Sequence, residues 1–456
     1  MKLRTMKPVF TLTLAVAAIA GTVSAQTVLN DDDTILKQII VFGRHSVRSS
    51  TLTPLQYALF SPRAYPDFGV PAGYLTVHGQ QAATLLGTYF RDYLLSEGLL
   101  TGDNSADLAM SYFRANSIQR SNVTAAMFGA GLMPGATIPV HSNALGVTDP
   151  VFDPISTGIA AVDPARAAAE VQRLYDSGSA VASAYSAEFS LIHGVLFNYP
   201  NAPQPPSIPD PTSEPIPITP VTSGVATGNV VNLGGLGNTA LANDPFVMEY
   251  TDGFSLGDVA WGQLTLDQLS QLTRLVTLQF NMLLRTPYLD QVQSSNAAAH
   301  VLRSMKQAVL GETVPGAFSD PSSRVLVVIS SDAYVAGLAG LLKLHWQLPG
   351  YQPDFCAPGG ALVFELRQSA STGEFIVRIY YTAQSFDQLR NLTPLNLNAP
   401  PETMQLLVPG GSKPGGSLDV RFPIFQKLMM EAVGLEYVQN PYTEVPPTVL
   451  TNVPLQ

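Results

Sequence analysis

The chain has 456 residues, 46% of them hydrophobic and only 13% charged, which gives ample material for a core and excludes a solvated, disordered chain. Its net charge of −10 excludes a general nucleic-acid or anionic-membrane binder, since either needs a basic face. A single cysteine, Cys356, excludes an intramolecular disulfide, a CxxC redox pair and a cysteine zinc cage.

Lys2, Arg4 and Lys7 precede an apolar run over residues 9–20, and Val23-Ser24-Ala25 forms a small-residue cleavage site. That order predicts an export signal over residues 1–25, hence a periplasmic or secreted product. Its removal takes away three of the 24 cations and leaves a net charge near −13. Residues 37–43 form a short apolar run ending in glycine and read as a buried strand, with a polar loop over 44–53. Residues 75–95 read as an amphipathic helix, 107–113 as a strand, and 121–132 as a helix stopped by Met133-Pro134-Gly135.

From 143 to 246 the texture changes. Residues 161–197 are alanine-rich and helical, 198–221 are packed with prolines, and a Gly/Asn stretch runs on to 243. This section reads as a helical insert with a long loop. The expected organisation is therefore a signal (1–25), a core (26–142 and 247–456) and an insert (143–246). Helices resume over 264–284 and 294–310. A second buried strand over 324–329 ends in Ser330-Ser331-Asp332 and leads into a helix over 333–344. Strands over 361–366 and 374–382 form a hairpin across Ser371-Thr372-Gly373. Strands separated by helices, with polar loops at the strand ends, predict an α/β fold with a mostly parallel central sheet.

Six histidines are present, none in a close ligand pair, so a metal site has little support. His45 stands between Arg44 and Arg48, directly after a buried strand, where ligands bind in open α/β sheets. Two guanidiniums beside an imidazole depress its pKa, keep it neutral and nucleophilic, and can grip a phosphate. The plainer reading is a solvated basic loop. Arg120 follows another strand, and alone it reads as a surface arginine. Asp332 follows the second buried strand. It reads as a helix N-cap or, alternatively, as a proton donor to a leaving oxygen.

Together these segments resemble the histidine acid phosphatases, the group that includes bacterial glucose-1-phosphatases and phytases. Arg44-His45-Ser46-Val47-Arg48-Ser49 is similar to the RHGxRxP signature, and the segment from Asn116 through Arg120 to Ala125 to the NSxQRTxxTA segment. Tyr250-Thr251-Asp252-Gly253-Phe254 with Ala260-Trp261-Gly262 resembles the family's return segment. Ser331-Asp332 falls where the family carries its HD pair, and residues 358–366 resemble its late strand. The resemblance implies an α/β phosphatase core with an inserted helical domain, the site lying between them. It also implies attack by His45, phosphate held by Arg44, Arg48 and Arg120, and protonation of the leaving alcohol by Asp332, with no cofactor. The partner would be a small phosphomonoester of the sugar-phosphate or phytate class, with specificity set by the insert and the loop after Ser49.

Three positions depart from the pattern: Ser46 for glycine, Ser49 for proline, and Ser331 for the second phosphate-binding histidine. Losing one preorganised donor to a transferring group costs roughly 10²–10³ in rate. The expectation is therefore a weak or specialised phosphatase. The alternatives are a silent protein that binds a phosphorylated ligand, or a scaffold with no phosphate site.

Overall fold

The computed structural model describes residues 33–202, 208, 216–221, 230–413 and 416–449. The expected export signal lies outside the described residues. Nine strands form one sheet: β1 (Thr34–Arg44), β2 (Ser111–Ala115), β3 (Pro139–His141), β4 (Val325–Ser330), β5 (Ala361–Ser369), β6 (Phe375–Ala383), β7 (Glu402–Gln405), β8 (Val420–Arg421) and β9 (Pro447–Val449). Their order is β8-β6-β5-β1-β4-β2-β3-β9, with β7 also on β6. The centre is parallel: β4 lies between β1 and β2, with Val325 opposite both Ile39 and Ser111. β5 and β6 form the expected antiparallel hairpin, and β5 runs antiparallel to β1.

Both faces of this centre are covered, which explains the unbroken apolar runs of β1 and β4. Alternate side chains enter opposite cores. Ile39, Val41, Val325 and Val327 pack against α1 (Val77–Ser96) and α2 (Gln119–Leu132). Ile40, Phe42, Leu326 and Val328 face the larger helical side. That side holds α3 (Pro164–Tyr175), α4 (Gly178–Ala184), α5 (Ser186–Phe197), α6 (Gly235–Thr251), α7 (Leu266–Leu283), α8 (Pro287–Leu310) and α9 (Asp332–Leu341). α1 and α2 touch backbone to backbone, since a Cβ on Gly87 would stand 2.0 Å from the Phe128 carbonyl oxygen. Among the described residues no single helix is long and apolar enough to cross a membrane.

Three sequence expectations shift. The strand expected over 107–113 is β2, and a short helix over Asn104–Ala109 occupies its first part. Asp103 caps that helix by accepting from the Ser105 and Ala106 amides. The single helical stretch over 161–197 is three helices. It breaks at Asp176, where φ is 60°, and at Tyr185. The last part of the Gly/Asn stretch, from Gly235 to Asn243, is the first half of α6, which even contains Pro245. Low intrinsic propensity is overridden there by burial of Leu236, Ala240, Asn243, Val247 and Tyr250, which recur at helical spacing on one face.

Candidate active site

The parallel strands β1, β2 and β4 end side by side, and their C-terminal loops meet. The His45 amide donates to the Ser330 carbonyl (2.9 Å), the Asn116 amide to Ile329 (2.9 Å), and the Gly359 amide to the His45 carbonyl (3.0 Å). The segment after β1 is pinned further on. The Ser46 amide donates to Thr124 Oγ1 at 3.0 Å, and Thr76 donates to the Val47 carbonyl at 3.2 Å. Gly79 lets α1 pass this segment, because a Cβ there would lie 1.9 Å from the Val47 oxygen. Pinning of this kind fixes side chains at a strand end without leaving buried amides unpaired.

A cavity of about 470 Å³ opens at this junction, lined by His45, Arg48, Arg120, Ser331 and Asp332 together with parts of α6 and α7. That size suits a small molecule. Five of the six residues singled out from the sequence thus share one cavity. The sixth, Arg44, is buried behind them: its Nη2 lies 3.0 Å from Asp332 Oδ2 and its Nη1 donates to the Cys356 carbonyl at 2.6 Å.

His45 is almost wholly buried, with Nδ1 2.8 Å from the Ser46 carbonyl oxygen. A carbonyl can only accept, so Nδ1 carries the proton and Nε2 keeps its lone pair. Burial first, then the charges of Arg120, Arg44 and Arg48, hold the imidazole pKa well below its ordinary value. The sequence argument named the arginines, but desolvation is the largest single cause. The ring is therefore neutral through mildly acidic pH.

Arg48 is clamped by Asp244, with both terminal nitrogens 2.8 Å from the two carboxylate oxygens. Such a fork-to-fork pair fixes the guanidinium plane. Arg120, in the first turn of α2, donates to the Gly73 carbonyl at 3.1 Å. Its pKa is pushed down to about 10 by burial and then by Arg48. Three guanidiniums face two carboxylates here, Asp244 and Asp332, which leaves a surplus positive charge. Among the described residues the Nε atoms of Arg44, Arg48 and Arg120 are buried without a partner. A buried, under-compensated cation cluster of this kind favours an anion.

Ser331 is the N-cap residue of α9, yet its side chain makes no capping bond, and Asp332 is the first helical residue. This corrects the plainer reading of Asp332 as the cap. Asp332 Oδ1 accepts only from the Ala333 amide, at 3.0 Å, among the described contacts. The cavity side of Ser331 gains no histidine in compensation. His78 Nε2 is held by the Leu389 carbonyl at 2.7 Å, and His345 pairs with Asp354 at 2.7 Å with its side chain 69% exposed. The other two departures are accommodated. Ser46 is fully buried and does not have positive φ, and Ser49 Oγ donates to the Pro71 carbonyl at 2.6 Å. Sequence reading missed Asp244, because the stretch before it reads as a loop. The helical spacing of apolar residues from Leu236 to Tyr250 is the signal that places it. Among the described residues no group of three or more His, Cys, Asp or Glu is arranged to hold a metal.

Comparison with known proteins agrees with the α/β fold. The family model described as "Histidine phosphatase superfamily (branch 2)" matches residues 35–188. The phytase AppA of Escherichia coli is 29% identical over 388 residues, 82% of this chain and 87% of the relative. The glucose-1-phosphatase of Salmonella typhimurium is 25% identical, covering 87% of this chain and 94% of the relative. The apo form of the Hafnia alvei phytase superposes with a TM-score of 0.81 at 27% identity, covering 90% of this chain and all of that one.

Proposed function

We propose that this chain, which belongs to the histidine phosphatase superfamily (branch 2), is an exported phosphomonoesterase that works through a phosphohistidine on His45. The observation that carries this reading is the state of His45. Its basicity is lowered by burial and by the arginines, Nδ1 is committed to the Ser46 carbonyl, and it stands at a cavity where Arg48 and Arg120 bring positive charge.

In the first step Nε2 attacks phosphorus, the phosphorus–oxygen bond of the ester breaks, and Asp332 gives its proton to the leaving alcohol oxygen. Arg48 and Arg120 hold the phosphoryl oxygens, Arg44 adds positive charge from behind Asp332, and Asp244 keeps the Arg48 fork aimed. In the second step water attacks the phosphohistidine, its proton goes to Asp332, and inorganic phosphate leaves with His45 restored. Ser331 supplies one neutral hydrogen bond where a charged or stronger donor would speed transfer, so turnover is weak or specialised. In keeping with relatives named as a phytase and a glucose-1-phosphatase, the proposed substrate is a small phosphomonoester of the sugar-phosphate or phytate class. Export rests on the signal pattern of residues 1–25. The 143–246 section is proposed as an insert that sets specificity.

The test is hydrolysis of an aryl phosphate from about pH 3 to 8, with acid-quench trapping of labelled phosphoenzyme, beside His45→Ala. The parent should trap a covalent phosphoenzyme. His45→Ala should trap none and lose at least about 10³ in kcat. The acidic limb of kcat/KM should fall below the ordinary histidine value, because the depressed imidazole stays neutral there. Equal turnover by the two proteins sinks the assignment. The second reading, a silent binder of phosphorylated ligands, is favoured by one observation only: no histidine replaces Ser331 at the cavity. It predicts phosphate binding with no phosphoenzyme.

A further inference from the structure

The cavity's charge is confined to one end. Away from His45 its wall is built by Val221, Val231, Leu233 and Leu241, then by Val276 and Phe280 of α7. Asn232 and Gln279 add neutral amides, and Thr51 a hydroxyl. The charged residues in the lining are Arg48, Arg120, Asp244 and Asp332, all at the phosphate end.

The sequence shows that this is no accident of placement. Residues 174–273, a run of 100, contain no lysine or arginine and nine aspartates or glutamates. That run supplies the whole wall from Val221 to Asp244. Residues 203–207, 209–215 and 222–229 lie inside the same run, so no cation comes from them either. Two cations outside the run have other partners. Arg274 pairs with Glu188, and the Arg63 guanidinium sits 4.4 Å from the Tyr199 ring centroid and 5.4 Å from that of Trp261.

Building on the phosphomonoesterase reading above, and narrowing its substrate class to the exclusion of phytate, we infer that the site takes monophosphate esters of uncharged, partly apolar alcohols and discriminates against polyphosphorylated substrates. One phosphoryl group satisfies the arginine cluster. A second or third phosphate on the same molecule would lie against valine, leucine and phenylalanine side chains with no counter-charge. Taking an anion out of water without a partner is costly, and like charges add to that cost. An alcohol moiety with apolar faces gains instead from contact with this wall, and its hydroxyls find the amides. Selection against polyanions is thus built from missing cations as much as from positive contacts.

The experiment compares kcat/KM for 2-naphthyl phosphate and inositol hexakisphosphate with the purified protein, and repeats it with Gln279→Lys. The parent should prefer the naphthyl ester by at least about tenfold. Gln279→Lys should shift the ratio toward the hexakisphosphate by about tenfold, by placing a cation on the neutral wall. Equal or better hydrolysis of the hexakisphosphate by the parent overturns this inference and leaves the phosphomonoesterase reading standing. Failure to hydrolyse either compound sinks that reading instead. The inference is then decided by calorimetric dissociation constants for the same two compounds: a naphthyl preference of about tenfold supports it, and equal or tighter hexakisphosphate binding overturns it.

Discussion

The two ends of the cavity are built by different means. The phosphate end comes from three adjacent parallel strands, whose loops are locked to one another by backbone hydrogen bonds. It gathers three of the chain's few arginines. The far wall comes from the proline- and glycine-rich section and two helices packed behind it, and its run of 100 residues carries no cation. Chemistry that must hold a nucleophile and an acid to within fractions of an ångström sits on strand ends. The proposed choice of alcohol needs only shape and polarity, which a section outside the sheet can supply.

That contrast can be broken most sharply at Asp332. Asp332→Asn should slow alkyl phosphates by about 10²–10³ and aryl phosphates by less than about tenfold, because a phenolate leaves with little protonation. Comparing kcat for a matched pair of esters measures it. An equal fall in both shows that Asp332 supports the site without donating a proton.

Asp244, carried by α6, joins the phosphate end by clamping Arg48. Asp244→Ala frees the Arg48 fork and leaves the cluster more positive. Turnover should fall by about tenfold while inorganic phosphate inhibits at several-fold lower concentration, since orientation is lost and charge is gained. Steady-state kinetics with phosphate as inhibitor reads both, and unchanged kcat would show that Arg48 is oriented without its clamp.

Ser331→His puts a stronger donor at the phosphate end and should raise kcat by about tenfold if the ring reaches the phosphoryl oxygens. A large fall with unchanged thermal unfolding would mean that the serine hydroxyl itself has a working role. The smallest effect is expected on the far wall. Phe280→Ala should raise KM for 2-naphthyl phosphate about threefold to tenfold and leave kcat within about twofold, because it removes apolar contact made equally in ground and transition states. A kcat loss as large as that of Asp244→Ala would show that the two ends are mechanically coupled.

Several features were legible in the chain alone. The runs that become β1 and β4 are apolar without alternation because helices cover both faces. Such runs can hardly be anything but central strands. The residues just past their ends, His45 and Asp332, follow as site candidates by the strand-end rule. The three arginines were visible as scarce cations in specific strings. The boundaries near Asp103 and Asp176 were less legible, since single polar side chains there decide where a helix starts or stops.

Local sequence set the β-strand centre, its connecting helices and the identity of the groups at the strand ends, because periodicity and turn chemistry act over a few residues. Tertiary structure alone decided three things. It made a helix of Gly235–Thr251 by burying one face of a weak helix former, and so brought Asp244 onto Arg48 across 196 positions of sequence. It set Arg44 behind Asp332 while leaving Arg48 and Arg120 at the cavity. It also removed His45 from water, which lowers its basicity more than any single neighbouring arginine does. Burial and long-range charge depend on what folds over a residue, and no window of neighbouring positions contains that information.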